Sequence, residues 1–178
     1  MAIKYEEIVP WGRNYDEYIK MFYLKEEELK KNIVGIKGNI CNSWFAISKV
    51  LNLKITQICP IEYRIDEKYF LDNQNAKHSD SLDEVKESDI VLTDSLPNDK
   101  EIQEKMKKYQ VTLDVMKKTK ENSILNPCPP FNIGEEIDEA VINSKYFVGY
   151  EFKKNLLTVQ KAIIIYCMNK KSTTYNIG

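Results

Sequence analysis

Short apolar runs of strand type recur along this chain, and a segment with helical spacing follows nearly every one. Ile33-Val34-Gly35-Ile36 leads into a helix-type stretch from about Trp44 to Leu51, carried by Phe45, Ile47, Val50 and Leu51. Lys54 to Cys59 reads as a second strand, stopped by Pro60, and Asp89 to Asp94 as a third, ending in the turn Ser95–Asp99. Ile124-Leu125 opens a fourth. Strands alternating with helices at this interval build βαβ units, which wind right-handed into a parallel sheet with helices on both faces.

The expected fold class is therefore α/β, a three-layer Rossmann-like sheet in a single domain of 178 residues. The segments between the strands fit that plan. Helices are expected over Asp66–Asp72, from the capping box at Ser81 to Glu84, over the charged stretch to about Lys108, over Thr112–Lys120 and over Glu135–Ile142. Residues 73–81 have room for a short edge strand, and Tyr146 to Tyr150 reads as a further strand. The last helix, Leu156 to about Met168, is apolar on most of its circumference and is expected to be buried against the sheet. Residues 1–31 read as an N-terminal helical segment, with Asn14 and Glu17 as a capping pair, Tyr15, Tyr18, Ile19 and Phe22 at helical spacing, and a short charged helix from Lys25 to Lys31.

Charge and cysteine usage bound the function. Lys and Arg number 26 against 27 Asp and Glu, a net charge of −1, so there is no basic excess to suit nucleic acid or a membrane surface. The longest apolar run, Ala162 to Met168, is too short to span a bilayer, and the opening M-A-I-K-Y-E-E has no apolar core of a secretory signal. A cytoplasmic protein with reduced thiols is expected, since Cys41, Cys59, Cys128 and Cys167 are widely spaced with no C-x-x-C. The one histidine, His78, sits among polar residues in an expected loop, which leaves no basis for a histidine triad or a zinc site. No cofactor is expected.

In an open parallel sheet, ligands bind outside the carboxyl ends of the strands. Here that edge collects Gly38-Asn39, Asp94 to Asp99 and Asn126 to Asn132. Pro127, Pro129 and Pro130 stiffen the last of these into a loop that can continue neither as strand nor as helix. Asp94 at a strand end can accept from an amino group or cap the helix that follows. Asn39, Asn98 and Asn126 add amides, and Cys128 between prolines is a candidate substrate-facing thiol. The bland alternative for each loop is a tight turn or a cap without chemistry.

Taken together, N-I-V-G-I-K-G-N-I-C-N-S-W, K-I-T-Q-I-C-P-I-E-Y, D-I-V-L-T-D, Y-Q-V-T-L-D-V-M, L-N-P-C-P-P, G-E-E-I-D-E-A-V-I and T-V-Q-K-A-I stand in an order that resembles the second, amino-acid-binding domain of the aspartate/ornithine carbamoyltransferase family. The resemblance covers about residues 32–168, so residues 32–178 are expected to form that domain behind the N-terminal segment 1–31. It implies transfer of a carbamoyl group from carbamoyl phosphate to an amine. Asn39 and Asp94 would hold the amino acid end of the acceptor, and the loop from Asn126 to Pro129 would face the reacting centre, giving Asn39, Asp94, Asn98, Asn126 and Cys128 as substrate-binding candidates.

Departures from the family pattern shape the expectation. Asn126 stands where the family has a histidine, Pro127 where it has the neighbouring cysteine, Asn98-Asp99-Lys100 where it has Ser-Met-Gly, and Leu156 where it has an arginine. A phosphate dianion needs several charge-assisted hydrogen bonds of about 1.5–3 kcal/mol each. The family's phosphate-binding domain supplies most of those. The expectation is thus a stand-alone acceptor-binding relative that does not catalyse carbamoyl transfer alone, and that binds a small amino acid-like metabolite or pairs with another chain, as a homo-oligomer or with a hetero-partner. Two alternatives stand beside it. I-V-P-W-G-R-N-Y-D-E-Y-I-K-M-F is similar to the opening of a group of S-adenosylmethionine-dependent methyltransferases, and Tyr146–Phe152 with the N-terminal aromatic residues would suit a non-catalytic interaction protein.

Overall fold

A computed structural model describes residues 30–51 and 53–169. The expected helices before Lys30 lie outside the described residues. Strands β1 (Lys30–Val34), β2 (Lys54–Ile58), β3 (Ala76–Ser79), β4 (Ile90–Thr93) and β5 (Ile124–Pro127) form one sheet, all parallel, in the order β3-β2-β1-β4-β5. Helix α1 (Asn39–Leu51) connects β1 to β2; α2 (Lys100–Met106) and α3 (Leu113–Met116) connect β4 to β5; α4 (Glu139–Ile142) and α5 (Gly149–Asn169) follow. The described residues up to Gly149 make one compact unit, and those from Tyr150 belong to a second.

Alternation along each strand divides the core into two layers. Ile33, Ile55 and Leu92 pack with Cys41 and Phe45 of α1, with Ile65 and with the ring of Phe70, which meets Phe45 edge-on at 5.4 Å. Val34, Ile58, Val91 and Leu125 pack on the opposite face with Met106, Tyr109, Val115, Met116, Ile137 and Val141. The sheet is therefore covered on both faces, as the alternating pattern predicts, and β1 is buried along Lys31–Val34 because it lies at the centre. Each well-buried aliphatic or aromatic side chain contributes about 1.5–3 kcal/mol.

Several elements differ from the sequence expectation, each for a local reason. β1 starts at Lys30, taking in Lys30 and Lys31 at the end of the expected charged helix, and α1 starts at Asn39 instead of Trp44 because the amide of Asn42 already bonds the carbonyl of Gly38 at 2.9 Å. The helix expected over Asp66–Asp72 shrinks to a 3₁₀ turn, Glu67–Tyr69, and that over Thr112–Lys120 to Leu113–Met116 with Thr112 as cap. The helix expected from Glu135 starts at Glu139: Gly134 turns the chain at φ 93°, and Asp138 accepts from Val141 N as the cap. Asn126 and Pro127 belong to β5 instead of the loop. The strand expected at Tyr146–Tyr150 is a single bridge from Phe147 to Leu125, with Tyr146 buried in the core and so not presented to a partner.

Residues 73–81 do supply the edge strand β3, which takes in His78, whose Nε2 donates to the carbonyl of Cys59 at 3.0 Å. The last helix is longer than expected, and Leu156, Leu157, Val159, Ile163, Ile164 and Met168 are exposed on it. An apolar composition over most of a helix does not fix which of its side chains are exposed. No helix among the described residues is long and apolar enough to cross a membrane.

Candidate functional site

Strand order reverses between β1 and β4: the chain leaves β1 for α1 on one face and leaves β4 for α2 on the other. Such a switch point opens a crevice at the carboxyl edge. Gly35 and Gly38 line it from β1, Asp94 from β4. The loop from Gly35 is held from below by Gln57, buried in β2, whose Nε2 donates to the Gly35 carbonyl at 3.0 Å while its Oε1 accepts from Ile65 N at 2.9 Å. Gly35 N bonds the carbonyl of Ile58 at 3.1 Å, and Lys37 N that of Tyr63 at 2.8 Å.

Across the crevice, Asp94 Oδ2 packs against the Cα of Gly38 so closely that a β-carbon there would lie 2.9 Å from it. Asp94 Oδ1 accepts from Ser95 N at 3.0 Å. Among the described residues no lysine or arginine pairs with this carboxylate. Burial raises its pKa above the ordinary carboxylate range, with the Ser95 amide pulling the other way. A half-buried carboxylate with one hydrogen bond and no cation is an acceptor with spare capacity.

The sequence-predicted residues divide by position. Asn39 is the first residue of α1, directly after Gly38, and is exposed. Cys128 lies beside β4, its amide donating to the Thr93 carbonyl at 3.0 Å, and is half-buried. Asn39, Asp94 and Cys128 thus share one edge of the sheet. Asn126 stands in register with Leu92, one residue back from that edge and on the α1 face. Asn98 is exposed in the turn before α2, where the neighbouring Asp99 is committed to capping: its Oδ1 accepts from Glu101 N at 2.9 Å and Ile102 N at 3.2 Å. Capping therefore falls to Asp99 and leaves Asp94 out of the helix.

Sequence reasoning missed Glu136. It is buried, accepts from Leu96 N at 2.6 Å through Oε1 and from Asn132 N at 2.7 Å through Oε2, and so ties the loop after β4 to the loop after β5. Its only signal in the sequence is its place in G-E-E after the prolines. Ser95 adds a second tie, its Oγ donating to the carbonyl of Pro130.

Space near the carboxylate is uneven. The cavity that Asp94 lines with Val34, Leu96, Tyr109, Glu135 and Glu136 measures about 10 Å³, room for one water. An adjoining pocket of about 310 Å³ shares Leu96 and Glu135 and is lined also by Lys100, Gln103, Glu104, Lys107 and Gly134. A groove of about 670 Å³ runs past the ends of β2 and β3, between Ile61, Asp80 and Tyr109. Among the described residues, no three His, Cys, Asp or Glu side chains gather as metal ligands. Cys41, Cys59 and Cys128 form no disulfide with one another; burial pushes Cys59 up to about 12 and Cys41 further up.

Comparison with known proteins adds a family to this geometry. The model of the aspartate/ornithine carbamoyltransferase Asp/Orn binding domain matches residues 27–167. The putrescine carbamoyltransferase of Mycoplasma capricolum is 29% identical over 80% of this chain and 44% of its own length. The ornithine carbamoyltransferase of Chlorobaculum tepidum is 27% identical over 82% of this chain and 47% of its own. The chain spans about half the length of the curated relatives it matches. Among solved structures, ornithine transcarbamoylase from Giardia lamblia superposes with a TM-score of 0.77 at 19% identity, covering 88% of this chain and 56% of that one. The ornithine carbamoyltransferase of Thermus thermophilus gives 0.73 at 21%, covering 83% and 51%. The methyltransferase resemblance rests on residues 8–22, outside the described residues. Motif order, sheet topology and the match over residues 27–167 converge: the chain belongs to the aspartate/ornithine carbamoyltransferase family, through its Asp/Orn binding domain.

Proposed function

We propose that this α/β unit is the acceptor half of a carbamoyltransferase site, binding a small amine-bearing, amino acid-like metabolite at the β1/β4 edge. The observation that carries the reading is Asp94: a half-buried carboxylate at the switch point with no cationic partner among the described residues. An ammonium group supplies the missing charge and takes the free lone pairs, and each charge-assisted hydrogen bond of this kind is worth about 1.5–3 kcal/mol. Putrescine and ornithine, the compounds named for the relatives, both carry such a group. Asn39 follows Gly38 at the start of α1, and the Cys128 amide bonds the end of β4 next to Asp94; these two are proposed as the contacts that accompany the carboxylate. Asn126 and Asn98 are proposed at the periphery, on the α1 face and the solvent side respectively.

Carbamoyl transfer needs a donor site as well. Asn126 stands where the family pattern has a histidine, so one group of the family's reacting centre is missing from the edge of this unit. The donor site lies outside this acceptor unit, in a cytoplasmic assembly. Calorimetric titration with putrescine, ornithine and carbamoyl phosphate tests the division of labour. The expected result is binding of an amine and none of carbamoyl phosphate by the isolated chain; tight carbamoyl phosphate binding would overturn it.

A further inference from the structure

Asp94 is fixed on one side by β4. On the other side the next two residues are both fastened to the proline segment: Ser95 through its hydroxyl to the Pro130 carbonyl, Leu96 through its amide to Glu136. Glu136 holds Asn132 with its second oxygen, so one carboxylate joins the loops that follow two neighbouring strands. We propose that Glu136 is a positioning residue of the amine site, a clamp that sets where Asp94 lies by holding these loops together.

Three features make it suited to that task. It is 6% exposed, so water competes little for its oxygens. Both of its hydrogen bonds are short and charge-assisted, the strong kind for a carboxylate on backbone amides. Its own backbone is fixed, since its carbonyl accepts from Val111 N at 2.9 Å and the next residue, Ile137, bridges to Val111. The clamp therefore pulls the loops to a rigid point. Glutamine keeps the volume but presents a nitrogen that cannot accept, so one of the two amides must lose its partner.

The site half of this inference rests on the proposed function; the clamp itself does not. Amide hydrogen exchange on the full chain, read residue by residue in wild type and Glu136→Gln, is paired with calorimetric titration of putrescine and ornithine. Exchange at Leu96 or Asn132 is expected to speed up about tenfold or more in the variant, while Cys59, just past β2, and Leu125 in β5 keep their rates. Affinity for whichever of the two amines binds is expected to fall about tenfold with it. Unchanged exchange at both loop amides overturns the clamp, and faster exchange with unchanged affinity overturns the positioning role. A wild-type chain that binds neither putrescine nor ornithine refutes the acceptor reading and the positioning role with it, leaving exchange to judge the clamp. Should Glu136→Gln not fold, wild type decides: saturating putrescine or ornithine is expected to slow exchange at Leu96 and Asn132, and no slowing counts against the proposal.

Discussion

Replacing Gly38 by alanine separates the fold from the site more cleanly than any other single change. The new β-carbon would meet Asp94 Oδ2 at 2.9 Å, closer than such contacts are tolerated, so the carboxylate must rotate or the loop must back away. Rotation gives up the Ser95 N–H bond to Oδ1, at a cost of about 1.5–3 kcal/mol for a charged acceptor, partly recovered from solvent. Alanine restricts the unfolded chain, which returns about 0.4–1 kcal/mol where the native backbone suits it. The expected net loss of stability is about 0.5–2 kcal/mol, well within what a domain of this size tolerates. The loss at the site should be larger in effect, because the displaced oxygen is the one that faces the crevice: about tenfold or more in amine affinity. Urea unfolding and calorimetric titration of putrescine and ornithine on the same preparation measure the two quantities. A variant that stays folded and binds amine as wild type does would refute the placement of the acceptor at Gly38 and Asp94.

Other consequences follow from named contacts. Because burial raises the Asp94 pKa, its ionisation opposes folding; its contribution is present below about pH 4 and is lost as pH rises through the folded value. Asp94→Asn should therefore gain on wild type in urea midpoint from about pH 4 to about pH 7, while amine binding disappears; a parallel pair of profiles would contradict this. Phe45→Ala, which empties a fully buried ring site against Phe70, should cost about 3–5 kcal/mol in urea unfolding. Asp99→Ala should cost about 1 kcal/mol by uncapping α2, with amine affinity unchanged. Iodoacetamide at neutral pH, followed by peptide mass mapping, should modify Cys128 before Cys41 and Cys59, since Cys59 lies at about 12 and all protection is lost only on unfolding.

The parallel sheet and its two covered faces were legible because alternation of strand and helix patterns is a long-range signal, repeated at every crossover. Asp94 was legible because a strand run ending in Thr-Asp before a proline turn marks a carboxyl edge. What stayed hidden was set by single tertiary contacts. Nothing in Gly134-Glu135-Glu136 distinguishes a helix start from a turn, and the choice is made by Asp138, a better cap, and by the loop amides that claim the Glu136 carboxylate. Asn126 looked like a loop residue because prolines follow it, yet Pro127 is accommodated at the end of an edge-side strand, paired with Thr93. The last helix shows the limit from the other side: its apolar residues fixed its existence but not what they face.

A crystal structure of the chain grown with putrescine tests the amine site at Asp94 most directly. The expected density is an ammonium nitrogen within about 3 Å of Asp94 at the mouth between β1 and β4, with Gly38 unmoved and the Glu136 bonds to Leu96 and Asn132 intact. An amine seated elsewhere, in the groove past β2 and β3 for instance, with the Asp94 carboxylate bare, would contradict it.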